Sequence, residues 1–296
     1  MKSNRRLRAS LSLIAAGLLV GASASTANAA SNSSSGASFP KQDPAQCAAF
    51  GKKADARKAA DTASEVIGLW TGLFDMPEAQ KLYRTYLTPG PVTHGRTKAG
   101  GKQVLADFRN AGETKKAVSG IVNSLKGKLT SASASASPVL GQNYSLKGAG
   151  LGTDLPIAWS DLKTTPGFVA GGLSGVALTD GTFVPDQRKI TGTYSLARTT
   201  VNGKSKTTLN MRALTLTVLD SIDFCPGNLG SGMIRDVALG MSRLERTPYR
   251  DTKTCDAKAK CFYAKPVLFK VTVPLKNVSV DVTAALSGKA GTGTTR

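Results

Sequence analysis

Ile190-Thr191-Gly192-Thr193-Tyr194-Ser195-Leu196, then Asn202-Gly203, then Leu209-Asn210-Met211-Arg212-Ala213-Leu214-Thr215-Leu216-Thr217-Val218-Leu219 is the sequence that decides the fold. Two runs of β-forming residues separated by Asn-Gly predict an antiparallel hairpin, because Asn and Gly accept the positive φ angles of a tight hairpin turn. In the second run the apolar phase moves from Leu209, Met211 and Ala213 to Leu214, Leu216 and Val218. Side chains along a strand alternate between faces, so a one-residue slip predicts a β-bulge near Ala213.

Towards the C-terminus, Val267, Phe269, Val271, Val273 and Leu275 alternate with more polar residues, and the phase then changes to Val278, Val280 and Val282. Pro266 and Pro274 favour an edge position or a bulge for this strand, since proline gives the ladder no donor. The Gly-, Thr- and Ala-rich end, 286–296, is expected to be a disordered tail.

Towards the N-terminus the period lengthens. From Pro44 to about Phe74 the chain is Ala-rich, and Ala59, Ala60, Ala63, Val66, Ile67 and Trp70 repeat at helical spacing, predicting one long helix. A second helix is marked by Asp75 as its cap, Pro77 in its first turn and Glu78 completing a capping box. Its apolar face is Ala79, Leu82, Tyr83, Tyr86 and Leu87, and Thr88-Pro89-Gly90-Pro91 ends it. A third amphipathic segment carries Ala117, Val118, Ile121, Val122, Leu125 and Leu129. The Ser/Ala alternation Ser131–Ser137 before Pro138 marks a boundary.

The fold class is therefore α+β, a helical N-terminal part followed by an antiparallel β-rich part of sandwich or half-barrel type. Its expected divisions are a helical region at 44–130, a flexible connection at 131–155 and a β-rich domain at 156–285.

Residues 1–29 form an export signal: Lys2, Arg5, Arg6 and Arg8 without an acid, the apolar run Leu11–Ala22, then Ala27-Asn28-Ala29. The apolar run is about a dozen residues, short of the roughly 20 that span a bilayer as a helix. Residues 30–43, rich in Ser, Ala, Asn and Gly, form a mobile leader. Removing the signal takes four of the 39 Lys+Arg and none of the 19 Asp+Glu, so the net charge falls only from +20 to +16. A secreted protein with that field favours anionic partners. The Ala, Gly, Thr and Lys/Arg richness behind such a signal resembles exported proteins of high-GC actinobacteria.

Four cysteines remain: Cys47, Cys225, Cys255 and Cys261. An even number in an oxidising compartment points to two disulfides with three possible connectivities. A local staple between Cys255 and Cys261 is the simplest, leaving Cys47 with Cys225. Zinc is the weaker reading, with no Cys-x-x-Cys and a single histidine, His94.

Leu219-Asp220-Ser221-Ile222-Asp223-Phe224-Cys225-Pro226-Gly227-Asn228 places two carboxylates where a strand gives way to a turn. One reading is a catalytic pair with one acid as base; the other is a pair satisfying turn donors, as Asp commonly does. The stretch resembles the Asp-x-Tyr-Asp motif of colicin M type lipid II phosphodiesterases, which have a β-rich catalytic domain. Asp220 and Asp223 match the two aspartates, Ile222 replaces the Tyr, and downstream Arg235 is present without the histidine that accompanies it in the family. The resemblance implies cleavage of an undecaprenyl-linked cell-wall precursor with Asp220, Asp223 and Arg235 as catalytic residues.

Other templates fit less well. A triad must run through His94, which lies in a polar loop, and no Gly-x-Ser-x-Gly elbow occurs. Gly148-Ala149-Gly150-Leu151-Gly152 lacks a P-loop lysine and reads as a flexible loop. Asp154 and Asp161 around Trp159 suggest a glycosidase only by spacing. No cofactor or metal motif is found.

Basic residues are spread over Lys52, Lys53, Arg57 and Lys58, over Lys115, Lys116, Lys126 and Lys128, and over Lys253, Lys258 and Lys260. This reads either as a patch for polyanions or as the solvated surface of a basic exported protein. Aromatics, 6% of the chain, do not interleave with them, which counts against a single-stranded nucleic-acid platform. The sequence favours a secreted, non-enzymatic binding or accessory protein, acting on an anionic envelope polymer or with a secreted protein partner. An antibacterial or toxin complex is one such setting, with the leader Ala30–Gln42 or the first helix as the docking element. The alternative is the envelope-directed hydrolase centred on Asp220 and Asp223.

Overall fold

The computed structural model describes residues 44–91, 97–131, 138–159, 161–170, 176–177, 183–184, 187–225, 232–250, 255 and 260–287. The expected signal, the leader, His94, the Ser/Ala stretch 132–137, the turn after Cys225 and the last nine residues lie outside the described residues.

The centre of the molecule is the predicted hairpin. Strand β6 (Gln187–Val201) pairs antiparallel with β7 (Lys204–Ile222). The turn is Asn202-Gly203, with φ of 49° and 75°, the two left-handed positions of a type I′ turn. At Ala213 (φ 51°) the register slips: Thr191 faces Thr215, but Thr193 faces Arg212. This is the predicted bulge. Opposite it is Gly192, where an added Cβ would lie 2.7 Å from Leu214 Cδ2 and 2.9 Å from the Arg212 carbonyl oxygen, so a glycine is required.

The two phase changes in the sequence are one event across the sheet. Strand β9 (Val267–Pro274) pairs with β7 from Thr215 to Ile222, and β10 (Val278–Asp281) pairs with the same edge of β7 from Thr208 to Met211. The break between β9 and β10 falls beside the bulge, where Leu275 N donates to Leu214 O at 2.8 Å. Pro274 stands at that break. Beyond β9 lies only the two-residue β2 (Thr97–Lys98), and β3 (Tyr144–Ser145) closes the other edge on β6. Two small pairs lie apart: β1 (Gly90–Pro91) with β8 (Cys261–Phe262), and β4 (Val176–Ala177) with β5 (Phe183–Val184).

The helices are α1 (Lys53–Leu73), α2 (Pro77–Tyr86), α3 (Lys102–Asn110), α4 (Gly112–Ser131), the short α5 (Thr165–Ala170), α6 (Gly232–Leu244) and α7 (Thr283–Ser287). Their apolar faces and the inward face of the sheet (Leu214, Leu216, Val218, Phe269, Val271, Val273) form one core. Burial of Ala79, Leu82, Tyr83 and Tyr86 on α2, and of Ile121, Val122, Leu125 and Leu129 on α4, follows the predicted faces. None of the described helices is long and apolar enough to cross a membrane.

Several expectations change. The first helix starts at Lys53, because residues 44–50 are drawn across α6: Cys47 is bonded to Cys225, Phe50 N donates to Thr247 Oγ1 at 2.9 Å, and the Arg243 guanidinium lies 4.0 Å from the Phe50 ring centre. Asp75 does not cap the second helix. It takes φ 49°, a left-handed angle Asp tolerates, and the N-cap position falls to buried Met76. Helices α3 and α6 are additional to the predicted set. Within 131–155, Leu146 is fully buried and the Gly148–Gly152 stretch is a turn held on β6, with Ile190 N donating to Gly152 O at 2.7 Å. Leu286 and Ser287, expected in the tail, close α7.

Candidate functional site

The period of two that buries Leu214, Leu216, Val218 and Ile222 also places Asp220 on the inward face, where it is 5% exposed. An isolated carboxylate there is untenable, so a partner must be built in. It comes from the neighbouring strand: on β6, Arg188 shares the inward phase of Ile190, and its Nη2 donates to Asp220 Oδ2 at 2.6 Å. Trp159 covers the guanidinium, with Arg188 Cζ 5.7 Å from its ring centre. The indole donates to Thr114 Oγ1 at 3.3 Å and meets Phe108 edge-on. Asp220 Oδ1 also accepts from Ser221 N at 2.8 Å.

Asp223 lies just past the end of β7, half-buried, and accepts from Ser221 Oγ. A third acid, absent from the sequence-based candidates, completes the seam. Glu245 follows the last residue of α6, is 2% exposed, and its Oε1 accepts from Phe224 N at 2.6 Å and from Tyr86 Oη at 2.7 Å. Burial, then the charge of Asp223, pushes Glu245 well above the carboxylate range, partly offset by the Tyr86 and Phe224 bonds and by Arg246. Burial and Glu245 likewise raise the Tyr86 phenol. Burial, with Asp223 and Asp220, raises Tyr83, whose Oη donates to Phe168 O at 2.9 Å.

A carboxyl held above its unfolded pKa stabilises the fold where it is protonated, and that contribution is lost as pH rises through its folded value. Urea unfolding of the wild type should therefore lose midpoint as pH rises above about 4.5, and Glu245→Gln should lose less. Glutamine can still accept the Phe224 and Tyr86 bonds, so at acid pH the two proteins should agree to within about 1 kcal/mol. Parallel pH profiles would show that Glu245 does not titrate in this way.

The disulfides are Cys47–Cys225 and Cys255–Cys261. The first ends directly at this seam: Gln46 Nε2 donates to Phe224 O at 3.2 Å, and Arg246 Nε lies 3.2 Å from Cys225 Sγ. Asp220 and Asp223 are brought together. Arg235 is in the first turn of α6, half-buried and separated from them in sequence by residues 226–231, which lie outside the described residues. Asp154 and Asp161 are exposed while Trp159 between them is buried over Arg188. No group of three metal-binding side chains occurs among the described residues.

The basic residues of α1 and α4 stay outside: Lys53, Arg57, Lys58, Lys115, Lys116 and Lys128 are exposed, and Lys126 is half-buried. Lys52, also exposed, precedes α1; Lys260 is exposed, whereas Lys253 and Lys258 lie outside the described residues. The sequence reading did not assemble a cleft of about 710 Å³ between α1, α2 and the chain around β8, lined by Arg57, Arg84, Tyr249 and Tyr263 among others. Its residues lie in four separate places in the sequence, and only the tertiary fold joins them. No protein family, curated protein or solved structure matches the chain.

Proposed function

We propose that the protein is a secreted, non-enzymatic binding or accessory protein that recognises an anionic polymer of a cell envelope. The observation that carries this reading is the use made of Asp220: its carboxylate is bonded to Arg188 at 2.6 Å inside the core, with the two side chains 6% and 3% exposed. A general base must reach the proton it takes, and a carboxylate in that position holds two strands together. Asp220 and Glu245 lie inside. On α4 Lys115, Lys116, Lys126 and Lys128 outnumber Glu113, whereas on α1 Lys53, Arg57 and Lys58 are balanced by exposed Asp55, Asp61 and Glu65. The excess of +16 in the mature chain suits long-range attraction of a polyanion.

The test is retention of the full mature protein on immobilised polyglycerol phosphate, alongside a lipid II cleavage assay. Binding is expected to weaken linearly in log–log form with salt, as neutralised phosphates exchange counterions, and no cleavage is expected. Cleavage that disappears in Asp223→Asn while the unfolding curve is unchanged would establish the colicin M type hydrolase in its place.

A further inference from the structure

The charged helix faces are diffuse, but among the described residues a cleft brings two arginines and a tyrosine together. The cleft of about 710 Å³ is open to solvent. One wall is α1, from which Arg57 and Ser64 face it, and the other is the end of α2 with Arg84 and Thr88. Its remaining side is Tyr249, half-buried, with the buried Tyr263 behind it, the rings meeting edge-on with centroids 5.0 Å apart.

This aromatic side is held rigidly. Tyr249 N donates to Cys261 O at 2.9 Å and Tyr263 N to Thr247 O at 3.2 Å, while Lys265 N donates to Tyr86 O at 3.0 Å. Cys261 is itself fixed by the disulfide to Cys255 and by pairing of β8 with β1. The short staple therefore has a local purpose, which is to hold the tyrosine pair against the helix ends.

Two guanidiniums and one carboxylate, Asp61, line the cleft, so its own balance is positive. Lys53 and Lys81 lie one turn before Arg57 and Arg84 on the same helices and are both exposed, with Asp55 and Glu65 also exposed on α1. Guanidinium forks match phosphate oxygens in pairs. Serine and threonine hydroxyls suit polyol oxygens, and a tyrosine face suits the carbon side of a sugar or polyol. A solvent-open cleft with these three chemistries admits a segment of a chain.

We propose that this cleft is the binding site for a phosphodiester-linked polyol or glycan polymer, with Arg57 and Arg84 holding phosphates and Tyr249, backed by buried Tyr263, packing against the intervening polyol. The assignment rests on the polyanion-binding reading above and makes it local. Four proteins decide it, by titration with polyglycerol phosphate at fixed salt: wild type, Arg57→Ala/Arg84→Ala, Arg57→Lys/Arg84→Lys, and Lys115→Ala/Lys116→Ala on α4, outside the groove.

All these side chains are exposed, and unfolding midpoints verify that each variant folds. The groove alanine pair should lose about tenfold or more in affinity. The lysine pair should recover only part of that loss, and the α4 pair, which removes the same charge, should lose much less. Equal losses in the two alanine pairs overturn the groove and leave polyanion binding as a diffuse property. A wild type that ignores the polymer overturns both readings. Binding to anionic phospholipid vesicles without binding to the polymer also overturns the assignment, in favour of a membrane surface.

Discussion

Asp220→Ala is expected to destabilise the protein by about 3–5 kcal/mol, because it leaves the Arg188 guanidinium in the core without its carboxylate. The side chain of Arg188 is 3% exposed and sits under Trp159, so water cannot readily replace the lost partner. Asp220→Asn keeps an acceptor of the same shape but no charge, and should fall between wild type and alanine. The double variant Arg188→Met/Asp220→Leu should regain most of the loss. It removes both desolvated charges and fills the same volume with apolar atoms, which in other buried pairs is neutral or stabilising. Urea unfolding with the disulfides intact measures all three. A loss below about 1 kcal/mol for Asp220→Ala, the size expected of an exposed pair, would return Asp220 to the surface and reopen the catalytic reading.

The same residues mark how far the sequence could be read. The hairpin, its Asn-Gly turn and the bulge at Ala213 were legible because a period of two and a phase slip are local properties. Asp220 was legible as unusual, since extending Leu214, Leu216 and Val218 by two leads directly to it. Its partner was legible in phase alone. Arg188 lies two residues before Ile190, but it sits in the polar run Asp186-Gln187-Arg188-Lys189, and only the register of β6 on β7, with Arg188 facing Val218, sets it beside Asp220.

Glu245 was hidden for a similar reason. Leu244-Glu245-Arg246 resembles a solvated helix end, and its burial comes from Tyr86 and Phe224, residues distant in the chain. Helix α6 had a readable pattern, with Val237, Ala238, Met241 and Leu244 at helical spacing. Arg235 stands out in the same segment only through its resemblance to a catalytic motif. Residues 44–52 are Ala-rich yet not helical, because alanine content reports propensity, whereas the covalent tie at Cys47 is a tertiary constraint that overrides it.

That tie sets the second large effect. Removing Cys47–Cys225 through Cys47→Ala/Cys225→Ala should cost about 5 kcal/mol, and removing Cys255–Cys261 about 2 kcal/mol, since the entropy a cross-link takes from the unfolded chain grows with the logarithm of the loop it closes. The sequence separations are 178 and 6 residues. The first variant should also expose residues 44–52 to hydrogen exchange, because Phe50 N and the Arg243 contacts depend on the strap lying over α6. It should loosen the acid seam as well, since Gln46 and Cys225 flank Phe224, whose amide holds Glu245. The second variant should leave that region protected and disturb the tyrosine pair beside β8. Equal costs for the two variants would show that loop entropy is not the main term. Unchanged exchange at 48–52 in the first would show that the hydrogen bonds to α6 hold the strap without the disulfide.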